Sequence, residues 1–585
     1  MLKKILWVLA VLFASITPVA AQQPDVNPVA LIPADFAGFV NIRVDNDKDT
    51  LVSLDAVRDT ASIFQPARVQ ATGLQSIFSF PIQLEEFDDF IVLDTLTDVE
   101  DASFTNDILP WVTGDFVVAY RESGDDFTLD AEDVLFIFPT ENIFLAAQSF
   151  QRFIAAQSNV EESDYRDVRL YELDESTVAF AENVVFLGSS ESIQASLDIM
   201  SGEAVGFDED EAYQIVKQAA PDDALAFAYL TGEESLSALN FILSGGDEAS
   251  RALLQAIGDA MGRLRTDESL LEYVLSGSAD GVGISLVPED RPKFRANLDA
   301  VITVYDAEVG EVTQSSPVDD ALLELLPHNT MLMLAGSDVD GFVFDVLSAA
   351  PTLNFAGQAL QGFSVQPSIA SRSGAFSLPT GTDIETAVTT SLAAIQSAAG
   401  YSLENSLLNY LSGDYVLAMI PRPNNPTPLF DTRADFLLLA QVDDAEEALD
   451  GVTRLVQLTL GVQSLDSSSL DEDGFITVAL TATDEPLMRF GVLDDVLVVA
   501  TGMAAEAVLE AHEGDDRLID QPQWAAFAEG ENPDLYIDLT PFSNTFFPTP
   551  GGPGPAVADQ LGLWTRYEGD GIFQIDVTVR SDVRS

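Results

Sequence analysis

Residues 109–120 read LPWVTGDFVVAY, and residues 408–419 read LNYLSGDYVLAM. Leu, Gly, Asp, Val and Ala keep their places, and most other positions exchange like for like. In both stretches a helical segment is expected to lead to Gly-Asp, which closes a turn into a β-rich run. Gly permits a backbone angle that other residues avoid, and Asp accepts hydrogen bonds from turn amides. Gly114, Asp115, Gly413 and Asp414 are therefore read as structural turn residues that open a strand. They recur because a larger unit recurs.

Four further segments repeat in the same order. LIPADFAGFV (31–40) is echoed by LLPHNTMLML (325–334). DVLFIFPTENIFLAAQSFQRF (133–153) is echoed by ADFLLLAQVDDAEEALDGVTRL (434–455). ENVVFLGSSESIQASLDIMSGE (182–203) returns as DDVLVVATGMAAEAVLEAHEGD (494–515), and PDDALAFAYL (221–230) as NPDLYIDL (532–539). Conserved order over five segments predicts two tandem copies of one domain, residues 22–314 and 315–585, after a leader at 1–21. Strands and helices alternate without a strict βαβ rhythm. The expected class is thus α+β, with an antiparallel sheet packed against helices in each half. Within the third unit, Glu182-Asn183 reads as a two-residue hairpin turn. Ser189 or Ser190 reads as a helix cap, and Ile193, Leu197 and Met200 as one helical face. The halves differ after their last shared strand. The first carries a long helical stretch at 235–264, the second a Pro/Gly-rich loop at 540–562.

The chain opens MLKKILWVLAVLFASITPVAAQQPD. Two lysines, an uncharged apolar run and Val19-Ala20-Ala21 predict a signal peptide cleaved before Gln22, and hence an exported or envelope-associated protein. The apolar run is short of the roughly 20 residues that a spanning helix needs. No later segment is long and apolar enough, so no transmembrane segment is expected in the mature chain. There is no Cys, which removes disulfides, thiol catalysis and thiolate metal sites. The 96 acidic residues against 26 basic ones give a net charge of −70. Such a surface repels nucleic acid and anionic lipid, and it keeps the chain soluble.

Motifs for chemistry are scarce. There is no GxSxG, HExxH, P-loop, GxGxxG or SxxK sequence. His328 and His512 are the only histidines, one in a turn and one at a helix end, and neither is read as a ligand or catalyst. Asp45, Asp47 and Asp49 in VDNDKDT take the first alternate positions of a calcium loop. Thr50 and Ala56 stand where such a loop needs Gly and Glu, so the three form at most a weak calcium site. No cofactor is expected. Trp111 and Trp524 sit in apolar helical settings that suit a core better than a sugar platform. Phe542, Phe546 and Phe547, in the Pro/Gly-rich loop, are the candidate contact residues for a partner.

The Leu-Pro turn and strand, the Trp and Gly-Asp segment, and the units ENVVFLGSSESIQASLD and FDEDEAYQIVKQAAPDDALAFAYL resemble the exported bacterial proteins grouped as domain of unknown function 3352. Residues 29–287 carry the likeness best, and the second half is a weaker copy. The resemblance implies an exported α+β protein and brings no catalytic residues. The reading is a non-enzymatic cell-envelope or secreted binding protein, with an unknown protein or envelope partner and no assigned oligomeric state. A groove between similar halves is its natural site. A carboxylate-based extracellular hydrolase and a lipid or apolar-ligand carrier are the alternatives.

Overall fold

In the computed structural model, the residues described are 26–44, 107–121, 134–156, 160–173, 176–224, 226–231, 264–265, 279–288, 297–307, 313–314, 318–337, 406–422, 434–460, 470–479, 486–528, 531–538, 541 and 560–580. The expected leader at 1–21, Asp45, Asp47, Asp49, Phe542, Phe546 and Phe547 lie outside them, as does nearly all of the stretch at 235–264 that is expected to be helical.

The first half contributes β1 (Gly38–Val44), β2 (Gly114–Tyr120), β3 (Val134–Pro139), α1 (Ile143–Ala156), β4 (Glu161–Tyr165), β5 (Val168–Glu172), β6 (Thr177–Ala181) and β7 (Val184–Gly188). It continues with α2 (Ser190–Met200), α3 (Glu211–Ala219), β8 (Ala226–Thr231), β9 (Leu264–Arg265), β10 (Gly281–Pro288) and β11 (Asn297–Tyr305). The first half ends with β12 (Thr313–Gln314), and the second contributes α4 (Asp320–Leu323), β13 (Leu332–Gly336), β14 (Leu411–Pro421), β15 (Ala434–Val442), α5 (Ala445–Leu460) and β16 (Phe475–Ala479). Then come β17 (Pro486–Leu493), β18 (Val496–Thr501), α6 (Ala504–His512), α7 (Pro522–Ala528), β19 (Leu535–Asp538), β20 (Gln560–Gly569) and β21 (Ile572–Arg580).

Nineteen of these strands form one antiparallel ladder, in the spatial order β4-β5-β6-β7-β3-β2-β1-β8-β10-β11-β21-β20-β19-β13-β14-β15-β18-β17-β16. β9 and β12 make a separate two-residue pair. The α+β class with antiparallel sheet is as the sequence predicts. The separate sheet expected in each half is not what forms, because β11 pairs with β21 and joins the strands of both halves. A sheet in each half would leave those two strands as open edges, with a row of unpaired amides and carbonyls. Pairing them satisfies both rows at once. The order also corrects the expected loop at 540–562, whose last residues, Gln560 to Gly562, already belong to β20.

Helices cover both faces. On one face α1 packs its Phe150 and Phe153 against Trp111, Phe116 and Phe138, and α5 packs its Val452 with Tyr415 and Phe490. On the other, α2 and α3 cover Phe39, Phe186, Phe207 and Tyr229, while α6 and α7, the latter through Trp524, cover Val416, Val498 and Tyr536. Strands enclosed on both faces cannot alternate polar with apolar, and β3 (VLFIFP) and β7 (VVFLG) are apolar throughout.

Local chemistry sets the ends of these elements. Ser189 caps α2 by accepting the Ser192 amide at 3.2 Å, and Asp210 caps α3 through the Tyr213 amide at 2.7 Å. A cap contributes about 1 kcal/mol. Burying Ile193 and Leu197 contributes roughly 1.5–3 kcal/mol each, so packing holds α2 and the cap fixes where it starts. Two-residue hairpin turns carry positive φ at Arg166-Asp167, Glu182, Asp494-Asp495 and Asp570-Gly571, as tight β-hairpins require.

Gly114 starts β2 with φ of 72°, and Gly413, with φ of 74°, lies at the irregularity between Leu411 and Tyr415 in β14. A 3₁₀ turn stands before each, Leu109–Trp111 and Leu408–Tyr410. The carboxylate of Asp414 accepts the Asp319 amide at 2.7 Å, and that of Asp115 accepts from Asn41 at 3.2 Å. A Cβ at Gly114 would meet nothing within 4 Å, so only the backbone angle opposes a side chain there. Gly114→Ala should lower the stability read from urea unfolding by about 1 kcal/mol, and Gly114→Asn by less. Equal effects of the two variants would contradict this account.

Candidate functional site

The strands that join the halves carry a polar patch on the α3 and α7 face. Side chains alternate between faces along each strand, so register fixes which of them meet. Ser285 lies opposite Val301, and Val301 opposite Asp576. In the next row, Gly283 lies opposite Thr303, and Thr303 opposite Gln574. Asp299 lies opposite Thr578, whose hydroxyl donates to it at 2.8 Å. Gln574 reaches up to donate to the Ala219 carbonyl at the end of α3, at 2.8 Å. Asp576 pairs with Arg566 of β20.

Two glycines let the flanking helices descend. A Cβ on Gly283 would stand 2.4 Å from Val216 of α3, and one on Gly562 2.1 Å from Phe527 of α7. Between these helices Asp299, Val301, Gln574 and Asp576 remain partly exposed, while Ser285 and Thr303 are fully buried. The buried atoms Ser285 Oγ, Thr303 Oγ1 and Asp576 Oδ1 have no hydrogen-bond partner among the described residues. Asn41 Oδ1 is in the same condition. It stands in the row of Ser285, since Asn41 lies opposite Phe227 and Phe227 opposite Ser285. The row Asn41, Phe227, Ser285, Val301, Asp576 thus crosses five strands, about 19 Å, with an unsatisfied polar atom on every second one. Buried polar atoms need a partner, whether protein, water or ligand.

Lys217 of α3 lies over the Phe227 ring, 4.8 Å from its centre. Burial lowers its ammonium pKa, and neighbouring Arg43 lowers it further. Arg43 in turn stands 3.9 Å from Asp115 and donates to the Asp222 carbonyl at 3.0 Å.

A second charged group surrounds Arg489 in β17. Its guanidinium meets Asp471 at 2.7 Å, Glu506 at 3.0 Å and Asp473 at 3.6 Å, and it covers the Phe475 ring. Burial by itself would raise the Asp471 carboxyl. The Phe475 amide and Arg489 outweigh it and hold the carboxyl below the usual range. Asp198 and Glu203 are also held low, the first by Tyr165 and Arg166 and the second by Arg166. A general acid needs the opposite shift. Among the described residues no group of three or more potential ligands is placed to hold a metal ion.

The residues singled out by sequence fall as follows. Trp111 is buried, with its indole N–H donating to the Asp107 carbonyl at 2.6 Å, and Trp524 is buried in the second core. His328 is exposed, and its amide donates to the Asp516 carbonyl at 2.6 Å. His512 meets Asp494 at 2.7 Å instead of standing alone at its helix end. Asp210 and Asp471, in the acidic runs 208–211 and 471–473, accept from backbone amides. The polar patch and Arg489 are absent from the sequence reading. Their signal was the scarcity of cations: an Arg inside a strand such as PLMRFGVL or QLGLWTRYEG is conspicuous in a chain with 26 basic residues.

These features define an antiparallel α+β protein with helices on both faces of a long shared sheet. The chain belongs to the family described as protein of unknown function (DUF3352), whose model matches residues 83–551 as one stretch that crosses the expected boundary at 314–315. No curated protein matches it. Among solved structures, crystal form I of TP0453 is similar over 49% of this chain and 82% of that one, at 7% identity and a TM-score of 0.25. Crystal form III of TP0453 is similar over 49% and 83%, at 7% identity and a TM-score of 0.26.

Removal of Arg489 leaves Asp471 and Glu506 without their cation. Arg489→Met should cost about 3 kcal/mol in urea unfolding at neutral pH. The sign for Asp471 follows from its lowered pKa. Its contribution is present above the unfolded carboxylate range and is lost as pH falls below about 4. The stability gap between the parent and Asp471→Asn should therefore narrow from pH 7 to pH 3, and a gap that widened would contradict the assignment.

Proposed function

We propose that the protein is an exported, non-enzymatic binding protein built from two copies of one domain, and that it holds a polar partner at the patch between β10, β11, β21 and β20. The observation that carries this reading is the row of unsatisfied polar atoms where the strands of the two halves meet. A site made for binding presents hydrogen-bonding groups whose capacity the protein leaves unused. Here the partly exposed Asp299, Gln574 and Asp576 form the floor, Arg566 supplies a cation, and α3 and α7 form the walls. Asp576 is already paired with Arg566 and Asp299 accepts from Thr578, so the unused hydrogen-bonding capacity favours a neutral, hydrogen-bonding ligand over a strongly charged one.

The non-enzymatic reading draws support from the described carboxyls with shifted ionisation. Asp198, Glu203 and Asp471 are all held as anions by hydrogen-bonding partners, an arrangement suited to structure. The two-copy reading draws support from the strand order, in which β5-β6-β7-β3-β2-β1-β8-β10-β11 has the counterpart β16-β17-β18-β15-β14-β13-β19-β20-β21. The turns before β1 and β13 dock alike, through the bridges Pro33 to Gly206 and Pro327 to Arg517.

Native mass spectrometry of protein purified gently from its producer tests the binding reading. The parent should retain a defined extra mass, and the variant Asp299→Asn with Gln574→Leu should lose it while keeping its fold. A bare protein in both cases, or a mass retained equally by the variant, would contradict a site at this patch.

A further inference from the structure

Register extends the correspondence between the halves to single residues. Starting from the shared Gly-Asp at the head of β2 and β14, each ladder carries the match to the next strand. It ends with Gly281 matched to Gln560, Asn297 to Ile572, Val301 to Asp576 and Tyr305 to Arg580. In the ladder between β11 and β21, Asn297 faces Arg580 and Tyr305 faces Ile572. Those two pairs are images of one another under the match. Val301 faces Asp576, its own counterpart. A local twofold axis therefore passes through the Val301–Asp576 pair. Such an isologous contact is the form taken by two copies of one unit in a symmetric dimer.

We propose that β11 and β21 are one self-complementary docking edge used twice, whose partner is a second copy of the same unit, and that Asp576 makes the junction selective for unlike halves. This edge permits three pairings. In the pairing observed, Asp576 faces a valine and takes Arg566 as its ion partner. Thr578 donates to Asp299.

With the same axis, two β11 strands would place Val301 opposite Val301 and Thr303 opposite Asp299. That restores a Thr-to-Asp hydrogen bond on both sides of the axis and supplies a partner for the Thr303 hydroxyl. Two β21 strands would instead place Asp576 opposite Asp576. Like charges directly opposite one another destabilise a ladder. Here one oxygen of Asp576 is already buried without a partner, which adds to the penalty. The second half thus rejects its own kind and accepts the first. The two-copy reading underlies this inference, but the binding of a ligand does not.

A full-length chain with a protease site inserted between Gln314 and Pro317 tests it. After cleavage the two pieces should remain one particle with the mass of the uncut chain. After unfolding in urea and refolding, native mass spectrometry should show the C-terminal piece paired with the N-terminal piece and not with itself. Excess N-terminal piece should form a pair of its own. Asp576→Val in the C-terminal piece should raise its self-paired fraction several-fold. Asp576→Asn, which removes the charge and keeps the shape, should do the same, so the test does not hang on the folding of one variant. Pieces that part on cleavage in plain buffer would overturn the shared edge. Self-pairing of the unaltered C-terminal piece, or none in either variant, would overturn the role of Asp576.

Discussion

The structure depends on one ladder, nine residue pairs long, between β11 and β21. Each backbone hydrogen bond in it contributes only about 0.5–1.5 kcal/mol, but leaving the two strands open costs more than their sum suggests. Each would expose an unpaired edge with apolar side chains on one face, where Val282, Val304 and Phe573 are buried together. Joining them closes that apolar cluster. It also places the polar patch in the middle of the sheet, where helices from both halves flank it. The binding reading and the docking reading both rest on this placement.

Much of the fold was legible because it is set by local chemistry. Glu182-Asn183 forms the predicted hairpin turn, Ser189 caps α2, and Ile193 and Leu197 are buried. Gly114 opens β2 at positive φ, whereas Gly413, also at positive φ, sits within β14 at the irregularity between Leu411 and Tyr415. Each of these depends on residues within a few positions of one another. The joining ladder was not legible, because β11 and β21 lie far apart in sequence and nothing in either strand's own pattern names its partner. Alternation shows that a strand exists and which face it buries, but not which neighbour completes it.

The candidate site was missed for a related reason. The patch carries no local motif: Ser285, Thr303, Gln574 and Asp576 come from three strands and meet only through register. The same holds for Arg489, whose anionic partners come from a turn and from the first turn of α6. In a chain of net charge −70, an isolated carboxylate carries almost no information. A cation within an apolar strand carries a good deal, and Arg489 and Arg566 both mark places where the structure gathers acids.

The most direct test of a single shared sheet is amide hydrogen exchange of the uncut protein. If β11 and β21 are paired, amides in residues 297–305 and 572–580 exchange slowly and open together, at a rate close to that of their inner neighbours β10 and β20. Fast exchange along either strand, with β10 and β20 still protected, would mean that each half keeps its own edge and that the joined sheet is wrong.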